Sequence, residues 1–156
     1  MEINGSQATF DLSIIGNKTN ESYMGTFKAK CLLSPLEEIE ADRLYREIIG
    51  QNAHLATEHV RRLAFALAQL DQRLVEFPPF WENDRLGGGH IEDDNIILEV
   101  LDRAIEAQEK FIEGKKKELE ERQKRLTQMI KKKQIEKEPE VEQVGDEAEP
   151  EEVEID

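Results

Sequence analysis

Three histidines, one cysteine and a short acidic run are the residues through which this chain could do chemistry. His54 and His59 bracket Leu55-Ala56-Thr57-Glu58. A zinc-protease helix needs its two imidazoles on one face at i and i+4, as in H-E-x-x-H. Here the histidines lie five positions apart, about 140° around a helix, and no metal pair results. Glu92-Asp93-Asp94 offers hard oxygen ligands but lacks the ligand spacing of a calcium loop. Acidic residues just before an apolar run read as a helix cap. Gly87-Gly88-Gly89 also precedes that run. No strand leads into it and no Lys-Ser/Thr follows, so it reads as a flexible connector and not a phosphate cradle. Cys31 falls in an apolar alternation and reads as a small buried hydrophobe. With one cysteine, no intrachain disulfide forms. No activated nucleophile or acid–base pair stands out. The expectation is a non-enzymatic binding protein with no catalytic residues, no metal and no cofactor.

The densest local feature is Phe77-Pro78-Pro79-Phe80-Trp81, three aromatics and two prolines on one short segment. Aromatic anchors favour protein interfaces. Two readings stand side by side: a lid over the core between two helices, or a docking patch for a partner protein. For the docking reading the expected residues are Phe77, Pro78, Pro79, Phe80 and Trp81, with Leu70 and Leu74 from the preceding helix.

The elements that position these residues follow from periodicity. Phe10, Leu12 and Ile14 alternate with Asp11 and Ser13. Tyr23, Gly25, Phe27, Ala29, Cys31 and Leu33 alternate with Thr26, Lys28 and Lys30. Period two marks half-buried strands. The polar stretch Asn17–Ser22 joins them as a hairpin. Ser34-Pro35-Leu36-Glu37 is a capping box with proline at the first helical position. It opens a helix to Ile49, stopped by Gly50, with Leu36, Ile39, Leu44 and Ile48 expected to face inward. Asn52 is expected to cap a second helix to about Phe77, with a seam of Ala56, Val60, Leu63, Leu67, Leu70, Leu74 and Phe77. Its spacings alternate four and three, as in a coiled coil; within a small domain this is read as a core face. Pro78-Pro79 ends it. Asp93 or Asp94 caps a third helix with a broad stripe through Ile112.

Beyond Ile112 the stripe thins to Leu119, Leu126, Met129 and Ile130. Good helix formers carry the helix on. Residues 115–133 hold nine Lys/Arg and three Glu, whereas 136–156 hold eleven Asp/Glu and one Lys. Such blocks read as a basic helix followed by a disordered acidic tail. The expected fold is therefore α+β, an N-terminal β-hairpin packed on a three-helix bundle with the third helix extended. Its divisions are a disordered N-terminus (1–7), a head (8–112), a basic helix extension (113–135) and an acidic tail (136–156).

The net charge of −14 argues against direct nucleic-acid binding and against an anionic membrane. No apolar run approaches a membrane span, and Met1-Glu2 opens no signal peptide. The expected location is the cytosol. The sequons at Asn4, Asn17 and Asn20 then mark only a polar loop region. The helix-two seam and the hairpin edge both allow self-association.

Several segments, taken in order, resemble small proteins of tailed bacteriophages, above all tail assembly chaperones and minor virion proteins. They are Tyr23–Lys30 with Leu33-Ser34-Pro35, Asp42–Gly50, Ala66–Leu70 with Arg73, Pro78–Trp81, and Leu86-Gly87-Gly88 with Glu92–Ile97. The resemblance covers about residues 8–112; the charged C-terminus has no counterpart in it. It implies a host-cytoplasmic protein that holds an aggregation-prone tail component, the tape-measure protein, during assembly. The alternatives are a minor structural protein retained in the virion, or an acidic inhibitor of a host protein. The mixed charges of the head disfavour the last.

Overall fold

The computed structural model describes residues 1–137. Of the expected acidic tail (136–156), Glu136 and Lys137 are helical and the rest lies outside the described residues. The chain divides into two compact units, Met1–Lys116 and Lys117–Asp156.

The first unit is α+β. Four antiparallel strands lie in chain order: β1 (Glu2–Asn4), β2 (Gln7–Ile15), β3 (Ser22–Lys30) and β4 (Leu74–Glu76). Two helices, α1 (Pro35–Ile49) and α2 (Glu58–Arg73), fall between β3 and β4, and α3 begins at Asp94. The β2–β3 hairpin is as expected, with Phe10 opposite Phe27 and Leu12 opposite Gly25. Two strands alone are marginal in water, and both flanks carry additions the sequence reading omitted. The N-terminus is not disordered. Asn4 pairs with Gln7 across Gly5-Ser6, and Gly5 takes φ +62°, the first-position glycine of a II′ hairpin turn. On the other flank, Leu74-Val75-Glu76 leaves the predicted helix and pairs with β3, Glu76 opposite Lys28. The second helix is thus shorter at both ends. Thr57, not Asn52, caps it by accepting from the Val60 N–H, and Ala53–Leu55 form a separate 3-10 turn.

The inner sheet face supplies Phe10, Leu12, Phe27 and Ala29 to a core completed by Ala66 and Leu70 of α2 and by Ile96, Ile97, Val100, Leu101 and Ala104 of α3. Phe10 stacks on Phe27 at 5.6 Å, and Phe27 meets Trp81 edge-to-face at 5.5 Å. A satellite cluster joins Ala8, Cys31 and Ala107, with Ile3 and Phe111 against it. Burial pushes the Cys31 thiol pKa up, as the small-hydrophobe reading requires.

Helix α1 departs from its expected orientation. The capping box is present, but Leu36 and Ile39 are 78% and 65% exposed, and Ala41 is the residue it buries fully. On α2, Ala64 and Ala68 are buried on the side of the helix roughly opposite Ala66 and Leu70, four-residue spacing keeping each pair on one face. α1 packs against α2, and small residues allow close helix approach. The apolar stripe of α1 failed as a guide: the residue it buries fully is Ala41, while Leu36 and Ile39 are left exposed.

In the second unit, the helix begun at Asp94 continues to Lys137. Every described residue of this unit, Lys117–Lys137, is exposed. Among the described residues no helix is long and apolar enough to cross a membrane.

Candidate protein-binding surface

The Pro-Pro-Phe-Trp segment folds as a 3-10 turn, Pro79–Trp81, and divides the seven predicted contact residues into two groups. Leu70 and Trp81 are core residues, 0% and 2% exposed. Pro78 is also buried; its ring rests on Gly25, where a Cβ would come within 2.6 Å of it. Phe80 is half-buried, edge-on to Tyr23 at 5.3 Å and to Phe27 at 6.0 Å. The segment is therefore largely the lid. Pro78, Phe80 and Trp81 are corrected from surface anchors to packing residues, because their rings close the gap beside Phe27. Phe77 and Pro79 are exposed, and Leu74 is half-buried.

Four of the seven nevertheless meet in one place. Leu70, Leu74, Phe77 and Trp81 line a surface cavity of about 240 Å³, with Asp71, Glu82, Asn83, Arg85, Leu86 and Gly87. Leu70 and Trp81 form its apolar floor. Phe77, 42% exposed, and the charged side chains of Asp71, Glu82 and Arg85 stand at its margin. The cavity is large enough for one side chain, and its margin carries both signs of charge.

The glycine run forms part of that wall and is not a flexible connector. A Cβ on Gly88 would fall 2.7 Å from the Trp81 ring, and one on Gly87 would fall 2.8 Å from its Nε1. Gly88 also takes φ +80° and donates its N–H to the Trp81 carbonyl at 2.8 Å. Glycine is required there by close approach to an indole. The clue in the sequence was the pairing of a lone tryptophan with a nearby glycine run.

The acidic run has a second role that sequence reasoning missed. Asp93 is fully buried. Its Oδ1 accepts from the backbone N–H groups of Lys18 (2.7 Å) and Thr19 (2.9 Å). Its Oδ2 accepts from Thr19 Oγ1 (2.5 Å) and the Tyr23 hydroxyl (2.9 Å). The neighbours extend the clamp. Asp94 accepts from Asn17 and lies 2.6 Å from His59 Nε2. Asn95 accepts from the Asn17 N–H and donates to the Ile15 carbonyl. Gly16 is obligatory here, since a Cβ would overlap the Asp93 carboxylate. Burial raises the Asp93 pKa, but the hydrogen bonds from Thr19, Lys18 and Tyr23 outweigh it and bring it down to about 2. A carboxylate with four donors is a structural knot, with no vacant lone pair for catalysis.

The remaining candidates stay apart. His54 sits in the 3-10 turn before α2, while His59 bonds Asp94. Among the described residues no group of three His, Cys, Asp or Glu side chains is set to hold a metal. Buried Arg73 bonds Gln69 and Gln108, and burial lowers its pKa. No known family model, curated protein or solved structure matches this chain.

Proposed function

We propose that this protein is a non-catalytic assembly factor of a tailed bacteriophage, a tail assembly chaperone that holds a helical tail component such as the tape-measure protein. The observation that carries the binding reading is the cavity floored by Leu70 and Trp81 with Phe77 at its edge. It combines apolar side chains with the charged groups of Asp71, Glu82 and Arg85 and is of side-chain size. The phage assignment rests on the resemblance of the ordered motifs between Tyr23 and Ile97.

In this reading an apolar residue of the partner helix enters the cavity, and Phe77 covers its flank. Phe77→Ala is expected to weaken partner binding about tenfold or more with little change in thermal stability. Titration calorimetry of the variant, paired with a melting curve, checks both halves. Co-expression with the tape-measure protein of the same phage tests the larger claim. Co-purification and a gain in its solubility are expected, and failure of both would sink the chaperone reading. Mass spectrometry of purified virions separates the alternative, since a retained minor structural protein would be present and a chaperone absent.

A further inference from the structure

Residues 122–133 hold six Lys/Arg and no Asp/Glu. They belong to the helical stretch Lys117–Lys137, all of which is exposed. Four of the six cations gather around one residue, Gln128. Lys124 and Arg125 precede it by four and three positions, and Lys131 and Lys132 follow it by three and four. On a helix these are the neighbours that share a residue's own face. At 100° per residue they form two rows, each about 40–60° from Gln128. Lys124 and Lys131 make one row, Arg125 and Lys132 the other. On the helices of the head, Arg43, Arg46, Arg103 and Lys110 each pair with an acid one turn away. Among the described residues, none of the four cations around Gln128 has an ion pair.

Three classes of anionic surface could meet such a patch, and geometry separates them. Leu119, Leu126 and Ile130 are exposed and lie about 160–180° round the helix from Gln128. An anionic membrane would take up that apolar row and so turn the four cations away from its headgroups. An acidic protein helix would offer one line of carboxylates, whereas the cations stand in two rows. A helix about 12 Å across sets those rows roughly 9 Å apart. The major groove of duplex DNA is about 12 Å wide, admits a helix and has a phosphate wall on each side. Between the rows the Gln128 amide can both donate to and accept from base edges. In duplex RNA the corresponding groove is too narrow to be read by side chains.

We propose that the Gln128 face of this helix seats in the major groove of duplex DNA. Lys124 and Lys131 contact one phosphate wall, and Arg125 and Lys132 contact the other. The net charge of −14 weighs against nucleic acid for the chain as a whole. Near 0.15 M ionic strength, however, exposed charges are screened beyond about 8 Å, and a polyanion at this face meets the cations first. The proposal is independent of what the head binds.

The test titrates the full chain into a fluorescent, mixed-sequence DNA duplex of about 20 base pairs, followed by anisotropy. At about 50 mM salt a Kd of roughly 100 µM or tighter is expected, with log K falling against log salt at a slope near −3.6, about −0.9 for each of the four cations. Arg125→Gln/Lys131→Gln takes one cation from each row. Arg122→Gln/Lys133→Gln removes the same charge about 120–140° round the helix from Gln128. Glutamine is a good helix former, and circular dichroism should show equal helicity in both variants. The first variant is expected to bind at least about tenfold more weakly with a slope near −1.8, and the second less than about threefold more weakly. Equal weakening by the two variants, or no binding at roughly 100 µM, would overturn the proposal. So would binding of phosphatidylserine vesicles or of polyglutamate in place of the duplex.

Discussion

Replacing Asp93 with alanine is expected to lower the melting temperature by about 10 °C or more, the largest effect of any polar substitution in the head. Four donors lose their acceptor at once: two backbone N–H groups and two hydroxyls. The backbone donors of Lys18 and Thr19 have no replacement partner in a loop held against the helix start. Asn is nearly as poor a substitute. Its amide nitrogen cannot accept, so either the two N–H groups or the two hydroxyls face a donor. A thermal melt of Asp93→Ala and Asp93→Asn against the parent checks this. The same carboxylate sets an acid limit. Its folded pKa of about 2 lies below the unfolded value of about 3.9, so it contributes stability that is complete above roughly pH 4. That contribution is lost as pH falls through about 2. Melting temperature followed between about pH 5 and 2 should fall, and the fall should be shallower in Asp93→Asn, which has no proton to take up.

The second large effect is Trp81→Ala, expected to cost about 3–5 kcal/mol. The ring is buried against Phe27 and under Gly87-Gly88. Neither glycine has a side chain with which to fill the void. If Trp81 were an exposed interface anchor, the same change would weaken partner binding and leave stability intact. Chemical denaturation distinguishes the two: a large drop in midpoint is expected for Trp81→Ala and none beyond error for Phe77→Ala. Loss of binding in Trp81→Ala would then follow from loss of the cavity floor.

The parts of the fold legible in the sequence were those with a period. The β2–β3 hairpin and the broad stripe of α3 follow from local alternation or helical spacing, and the Ser34 capping box from its own four-residue pattern. The parts missed depend on neighbours distant in the chain. β1 and β4 are three residues each, too short to carry an alternation, and exist because β2 and β3 present open edges. Leu36 and Ile39 look like core residues until Ala41, Ala64 and Ala68 are found buried in their stead. The predicted contact set was half legible. Leu70, Leu74, Phe77 and Trp81 do share one cavity, because the end of α2 and the Pro-Pro turn bring them back together. Pro78 and Phe80 do not join them, since Gly25 leaves a notch in β3 into which the proline ring settles.

The clamp at Asp93 has a consequence for the order of events during synthesis. Its acceptor and donors are 75 residues apart for the Lys18 bond. Ribosomes add about 5–20 residues per second, so roughly 4–15 s separate the synthesis of Lys18 from that of Asp93. Through that interval Phe10, Phe27 and Tyr23 have neither their helix nor their polar seal. Folding of the head is therefore gated by arrival of the α3 start. Mutations that slow this closure should show first as aggregation of nascent chains, even where the finished protein melts normally.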